Sequence, residues 1–282
     1  MTRCLRAAAI AGIGVSLLLA QPQGGRGGPG SETVRQANQL DLDGKGAEAR
    51  TLFQKAIDEA PSPRARADAQ RAMAMSWAFE GNCAKTAEYE QKVIDYWVTQ
   101  EKEDPANAFY QQGEMADEAA RVCIDAGDLK AAADWYRKGH DLGMKEPNIS
   151  TDRKALWDYR LDHALARVAA RRGDKAGAAK YVASAKADLE KMTALRQQQE
   201  AFLPYLTGYV AYYLGDYQTA LNDLQKANQN DAFIQCLIGM TYEKLGKKDE
   251  AKAAYQKAYA AARGHNPPAA FARPFARKKV GA

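Results

Sequence analysis

The 282-residue chain predicts an all-α solenoid of about six helix-turn-helix repeats. One observation is a spacing. From Leu206 to Ala227 the chain reads as two short helices joined at Gly215-Asp216, with Leu206, Leu214, Leu221 and Leu224 forming an apolar stripe. Gly208, Ala211, Ala220 and Ala227 stand where two helix backbones approach closely. Counted from Gly215, a small residue lies seven before, another five after, an apolar one nine after and a small one twelve after. The other observation is composition. The chain is 46% hydrophobic and rich in Ala, Lys, Glu and Gln, which suits stacked helices that need no single enlarged core.

The same ruler fits five more glycines, taken in order. At Gly44 it finds Ala37, Leu40, Ala49, Phe53 and Ala56, with Pro61 closing the unit. At Gly81, Ala74 and Trp77 agree, but Thr86, Glu90 and Val93 fit poorly, which predicts a rotated helix with Tyr89 in the buried place of Glu90. At Gly127 it finds Ala120, Cys123, Ala132, Tyr136 and Gly139; at Gly173, Ala166, Ala169, Ala178, Val182 and Ala185. At Gly246 it finds Gly239, Tyr242, Ala251, Tyr255 and Ala258. This pattern resembles the tetratricopeptide repeat, a helix-turn-helix unit of about 34 residues. The resemblance covers residues 32–263 and implies a right-handed α-solenoid that binds protein or peptide partners and performs no catalysis.

Unequal intervals between the glycines call for insertions. Residues 84–103 can run as one long helix that stops before Asp104-Pro105, because a residue preceding Pro is pushed out of the helical region. Residues 139–150 are rich in helix breakers, and a helix from Lys175 to about Glu200 would lengthen the fourth unit. Residues 264–282 form a cap or a basic tail. Asn266 and Pro267 open a helix there, Phe271 and Phe275 could face the last repeat, and Pro274 argues against a long regular helix. As a cap, this segment would leave Arg273, Arg277, Lys278 and Lys279 in solvent; as a tail, it would dock on an acidic partner.

Residues 1–20 combine Arg3 and Arg6 with the apolar run 7–20, as a signal peptide does, and that run is short for a bilayer span of about 20 residues. Residues 21–31 read as a flexible Gly/Pro linker. These features predict export to a bacterial periplasm or beyond, with no stable membrane span after cleavage. Without Arg3 and Arg6 the chain has 38 basic and 35 acidic residues, a balance too even to argue for nucleic acid. In an oxidising compartment Cys83 and Cys123 can pair if the first helices of successive repeats are neighbours, as in the resembled family; otherwise they and Cys236 are small buried hydrophobes.

Catalysis would need a nucleophile, a base and an orienting group close together. His140, His163 and His265 lie in three separate segments, and the sequence has no zinc helix, nucleophile elbow or phosphate loop. Cysteine spacings are unlike zinc sites, and the Asp41-Leu-Asp43-Gly44 run places Arg50 where a calcium loop needs Glu. No cofactor or metal is expected. In the resembled family, one side of each first helix lines a concave groove. Here that side offers Arg160, His163, Arg167 and Arg171 in the fourth unit, Phe202, Tyr205, Tyr209 and Tyr212 in the fifth, and Phe233 and Met240 in the sixth. An aromatic strip beside a basic one suits an extended peptide carrying apolar side chains and a carboxylate. The same stripes could instead be packing, with the basic one paired to acids such as Asp162 or Glu200. A rival reading is a subunit of an envelope assembly held by its outer faces.

Overall fold

A computed structural model describes residues 30–281. The predicted signal peptide and most of the linker lie outside the described residues; residues 30 and 31 open the first helix. Six hairpins follow: α1 (Gly30–Leu42) with α2 (Gly46–Asp58), α3 (Pro63–Phe79) with α4 (Cys83–Thr99), and α5 (Pro105–Ala126) with α6 (Leu129–Gly143). Then come α7 (Thr151–Arg171) with α8 (Lys175–Glu190), the short α9 (Arg196–Glu200), α10 (Leu203–Tyr213) with α11 (Tyr217–Leu224), and α12 (Ala232–Lys244) with α13 (Lys248–Ala261). A last helix, α14 (Pro267–Val280), completes an all-α solenoid.

Every hairpin turns at a glycine of the ruler. Gly44, Gly81, Gly127, Gly173, Gly215 and Gly246 all take positive φ, between 68° and 92°, a conformation that costs glycine little and other residues more. In four repeats the residue after the glycine caps the next helix. Asn82, Asp128, Asp174 and Asp216 each accept a backbone N–H three residues on. The ruler also carries packing. The residue seven before the turn meets the one nine after it, as Ala37 and Phe53, or Ala120 and Tyr136, share one core cluster. Gly208 and Gly239 are glycines because Leu224 and Tyr255 fill the space a Cβ would need.

The second repeat obeys this register more strictly than its chemistry suggests. Thr86, Glu90 and Val93 are all buried and Tyr89 is half-buried, so the predicted rotation is absent. Glu90 takes the ninth position. Burial, with Glu118 beside it, pushes its carboxyl well above the usual range against the opposing pull of Arg71. In the neutral form, a carboxyl group loses much of the penalty for leaving water.

Two predicted helix lengths are corrected. α4 ends at Thr99, with turns before Asp104. α8 ends at Glu190 because Asp152 of α7 reaches across and accepts the backbone N–H groups of Thr193 (3.0 Å) and Leu195 (3.0 Å). That bond set bends the chain and leaves α9 separate. The breaker-rich stretch 139–150 begins as helix, since α6 continues to Gly143.

α14 closes the molecule. It packs on α12 and α13, and also on α3 and α5 of the second and third repeats. First helices so far apart in the chain can share one neighbour only if they face a common interior, and α14 lies in it. Pro274 does not interrupt the helix, contrary to the sequence expectation.

Candidate functional site

The inner wall is built by the first helices of the repeats, and α14 covers part of it. Asn266 caps α14 by accepting the Ala269 N–H, and Pro267 occupies the first turn. Ala269, Ala272 and Ala276 pack among Ala232, Cys236, Ala258 and Ala262. Ala270 enters a second cluster with Ala74, Met75, Ala78 and Val122. Phe271 stacks on Phe275, with centroids 5.2 Å apart, and meets Phe233 at 4.9 Å. Small side chains permit this close approach.

Polar contacts tie the same segment to the first repeat. Arg273 donates to the Leu42 carbonyl (2.9 Å) and Arg277 to those of Leu42 and Asp43. These carbonyls end α1, where a helix lacks internal partners and carries partial negative charge. The His265 ring lies 2.8 Å by Nε2 from Asp41, whose buried carboxylate also accepts from Ser76 (2.9 Å). Phe53 and Phe79 flank that imidazole. Arg273 and Arg277 are therefore half-buried rather than in solvent, while Lys278 is exposed and Lys279 pairs with Glu243.

Of the ten sequence-predicted wall residues, His163, Arg167, Tyr205, Tyr209, Phe233 and Met240 meet one another. Arg160 contacts Glu114 and Trp157, and Tyr212 contacts Tyr213 and Tyr217; none of the ten is freely exposed. His163, Arg167, Tyr205, Tyr209 and Phe233 are buried; Arg160, Arg171, Phe202, Tyr212 and Met240 are half-buried. The two stripes touch at Arg167 and Tyr205, and the other basic groups are taken up by neighbouring helices. Arg167 donates to Tyr205 Oη (3.3 Å) and Tyr136 Oη (3.1 Å), and Arg171 lies 5.0 Å over Tyr213 and bonds the Ile124 carbonyl. Arg160 pairs with Glu114 and lies 4.9 Å over Trp157. So the acids that face the basic stripe sit on α5, in the preceding repeat, and not at Asp162 or Glu200. Phe233 stands in front of this layer, with Phe271 against it and the Arg121 guanidinium 4.1 Å over its ring.

Electrostatics follow from that burial. Loss of solvent, then Arg167 and Arg121, holds His163 well below the usual range, so the imidazole is neutral. Asp117 on α5, against Gly139 of α6, is pushed up to about 8 by burial, with Arg160 opposing. Its position on α5, one turn from Glu114 and Arg121, carried no sequence signal that separates it from a surface acid.

Cys83 and Cys123 are joined by a disulfide, with Cα atoms 4.6 Å apart. Cys236 is a buried free thiol beside the Ala272 carbonyl of α14. Outside the wall, a shallow groove of about 640 Å³ runs between α2, α3 and α4, lined by Arg50, Gln54, Met73, Trp77 and Tyr89. Among the described residues no cluster of His, Cys, Asp and Glu could hold a metal ion, and no helix is long and apolar enough to cross a membrane.

These helical hairpins define an α-solenoid of the helical-repeat class. Residues 234–265, covering α13 and most of α12, match the tetratricopeptide repeat family, and the five earlier hairpins turn at a glycine of the same conformation. Tetratricopeptide repeats generally mediate protein–protein interaction, and the family is typically non-catalytic. Among solved structures, one similar protein is from Podosopora anserina, named for kinesin light chain and built of nearly identical TPR-like repeats. It has 14% identity and a TM-score of 0.38, over 82% of this chain and 93% of that one. Another is a tetratricopeptide repeat protein from Parabacteroides merdae, with 12% identity and a TM-score of 0.40, over 89% and 97%. No curated protein matches the chain.

Proposed function

We propose that this chain is a non-catalytic scaffold that holds a protein or peptide partner on the inner wall of its fourth to sixth repeats. The observation that carries this reading is α14: the wall already accepts a helical segment, through Phe271 on Phe233 and the alanine contacts around them. Phe202, Tyr212 and Met240, half-buried and so within a partner's reach, are the rim in this reading. Arg167, Tyr205, Tyr209 and His163 sit behind it and set its shape, while Arg160 and Arg171 fix α7 against α5. The apolar run at residues 7–20 and the Cys83–Cys123 bridge support export to an oxidising compartment, a periplasm or beyond.

A second reading, an assembly subunit held by its outer faces, is favoured by the groove between α2 and α4, where Arg50 lies 4.0 Å over Trp77. Partner capture from an envelope extract separates the two. Tyr212→Ala with Met240→Ala should weaken capture at least tenfold, since 1.4 kcal/mol is tenfold, while Arg50→Ala with Gln54→Ala leaves it unchanged. The reverse pattern moves the binding face to the outer groove.

A further inference from the structure

We propose that the seat of α14 is an exchangeable helix site, taken by a partner helix with two aromatic side chains one turn apart and two arginines at the same spacing. This rests on the inner wall being the binding face. What it adds is the occupant's chemistry and the condition for entry: α14 must leave first.

Four observations on α14 support exchange. First, besides the rings of Phe271 and Phe275 on Phe233 and Tyr255, it is held to the scaffold by arginine and alanine contacts that water and another helix can replace. Its arginines grip carbonyls at the end of α1, which are polar groups that water satisfies equally. Its alanines present little more than Cβ atoms to α12, α13, α3 and α5. Second, the helix is weak by itself. Pro274 brings no N–H to the Ala270 carbonyl and its ring crowds the turn before it, so the segment is helical chiefly while seated. Third, the connection is a short non-helical one: α13 ends at Ala261 and α14 begins at Pro267, with Gly264 between them and His265 as the anchor that must release. Fourth, Phe271 and Phe275 are only half-buried, so an incoming pair of rings can begin to engage before α14 has fully left.

The seat also specifies what replaces α14. Phe233, backed by Tyr205 and Tyr209 and covered on one side by Arg121, is a flat aromatic surface that suits a ring. Tyr255 meets the second ring, at 5.8 Å in the present occupant. The wall around Ala74, Ala78 and Val122 admits only a small side chain at the place of Ala270. The α1 carbonyls call for guanidinium groups, which fork to two acceptors as Arg277 does to Leu42 and Asp43. The occupant is therefore a basic amphipathic helix rather than the extended, carboxylate-bearing peptide expected from the sequence.

The probe is a labelled synthetic peptide with the sequence of residues 264–282, offered to the full chain and to the full chain carrying Arg273→Gln and Arg277→Gln. Those two changes weaken the grip on α1 and leave the buried alanines in place. The variant should bind the peptide at least tenfold tighter than the unaltered chain does, and peptide with both phenylalanines changed to Ala should not bind. Hydrogen exchange on the unaltered chain should show α14 opening well before α3 and α5. The proposal falls if the folded variant binds no peptide and α14 exchanges only together with α3 and α5, since α14 is then a permanent cap. It also falls if the variant forms a dimer the peptide cannot disperse, because the occupant is then a second copy. Two patterns separate this inference from the scaffold reading. If capture still depends on Tyr212 and Met240 while α14 never opens, the scaffold reading stands alone. If the peptide exchanges as described but capture follows Arg50 and Gln54, the seat is real and the partner's site lies elsewhere.

Discussion

Gly239 stands seven residues before the last turn glycine and Tyr255 nine after it, so the pair samples the packing rule that repeats along the chain. A Cβ on Gly239 would lie 2.5 Å from Cε1, 2.7 Å from Cδ1 and 2.9 Å from Cζ of the Tyr255 ring. That ring is 2% exposed and backed by Phe275 at 5.8 Å, so it has nowhere to swing. In Gly239→Ala two effects oppose each other. Alanine favours the helix by about 1 kcal/mol, and overpacking a tight contact costs about 1–3 kcal/mol. A net loss of about 1 kcal/mol is expected, which lowers the melting temperature by about 2–4 °C in a protein of this size. The assay is a double-mutant cycle followed by helical circular dichroism in urea. In a Tyr255→Leu background the clash is relieved, and Gly239→Ala should be neutral or stabilising. If Gly239→Ala stabilises the unaltered chain, the close approach is not there and the register is wrong.

Three further outcomes follow from buried groups. Asp117 keeps its proton to about 8 when folded and loses it near 3.8 when unfolded; the folded chain binds more protons between those values, so stability should fall as pH rises through that window. Asp117→Asn should flatten the decline, read as melting temperature against pH. His163 has the opposite sign: its folded value is depressed, so the unfolded chain takes up a proton below 6.5 that the folded one refuses, and stability should also fall as pH drops below 6.5. A His163→Gln chain should lose that acid-side decline. For the Cys83–Cys123 bridge, with a sequence separation of 40, reduction should cost roughly 3–4 kcal/mol in the chain-entropy model. Peptide mapping without reductant should recover the two cysteines linked, and Cys236 should resist alkylation until the chain unfolds, because its thiol is buried.

What the sequence makes legible is whatever repeats locally. The turn glycines and their Asn or Asp caps are short-range devices, and in the structure the glycines recur at all six places and the caps at four of them. Glu90 shows the strength of that register: position overrode residue type, and burial neutralised the acid instead of rotating the helix. Features set by distant partners are not legible. The end of α8 depends on Asp152, 41 residues away from Thr193, and no local breaker marks it. The wall is the larger case. Arg160 and Arg167 lie on α7, and Tyr205 and Tyr209 on α10, its neighbour. Whether they face a ligand or each other depends on how tightly the solenoid curls and where α14 lies, which spacing does not encode. Asp41 and His265 are 224 residues apart, yet that contact closes the molecule.

The central claim is that the inner wall, and not the outer groove, is the face a partner uses. A photoreactive phenylalanine analogue placed singly at Tyr212 or Met240 on the wall, and at Thr51 or Gln54 on exposed α2, tests it in the full chain in its own extract. Illumination should link the partner to the chain from position 212 or 240 and leave the α2 positions unlinked. Linkage from 51 or 54, with none from 212 or 240, contradicts the account.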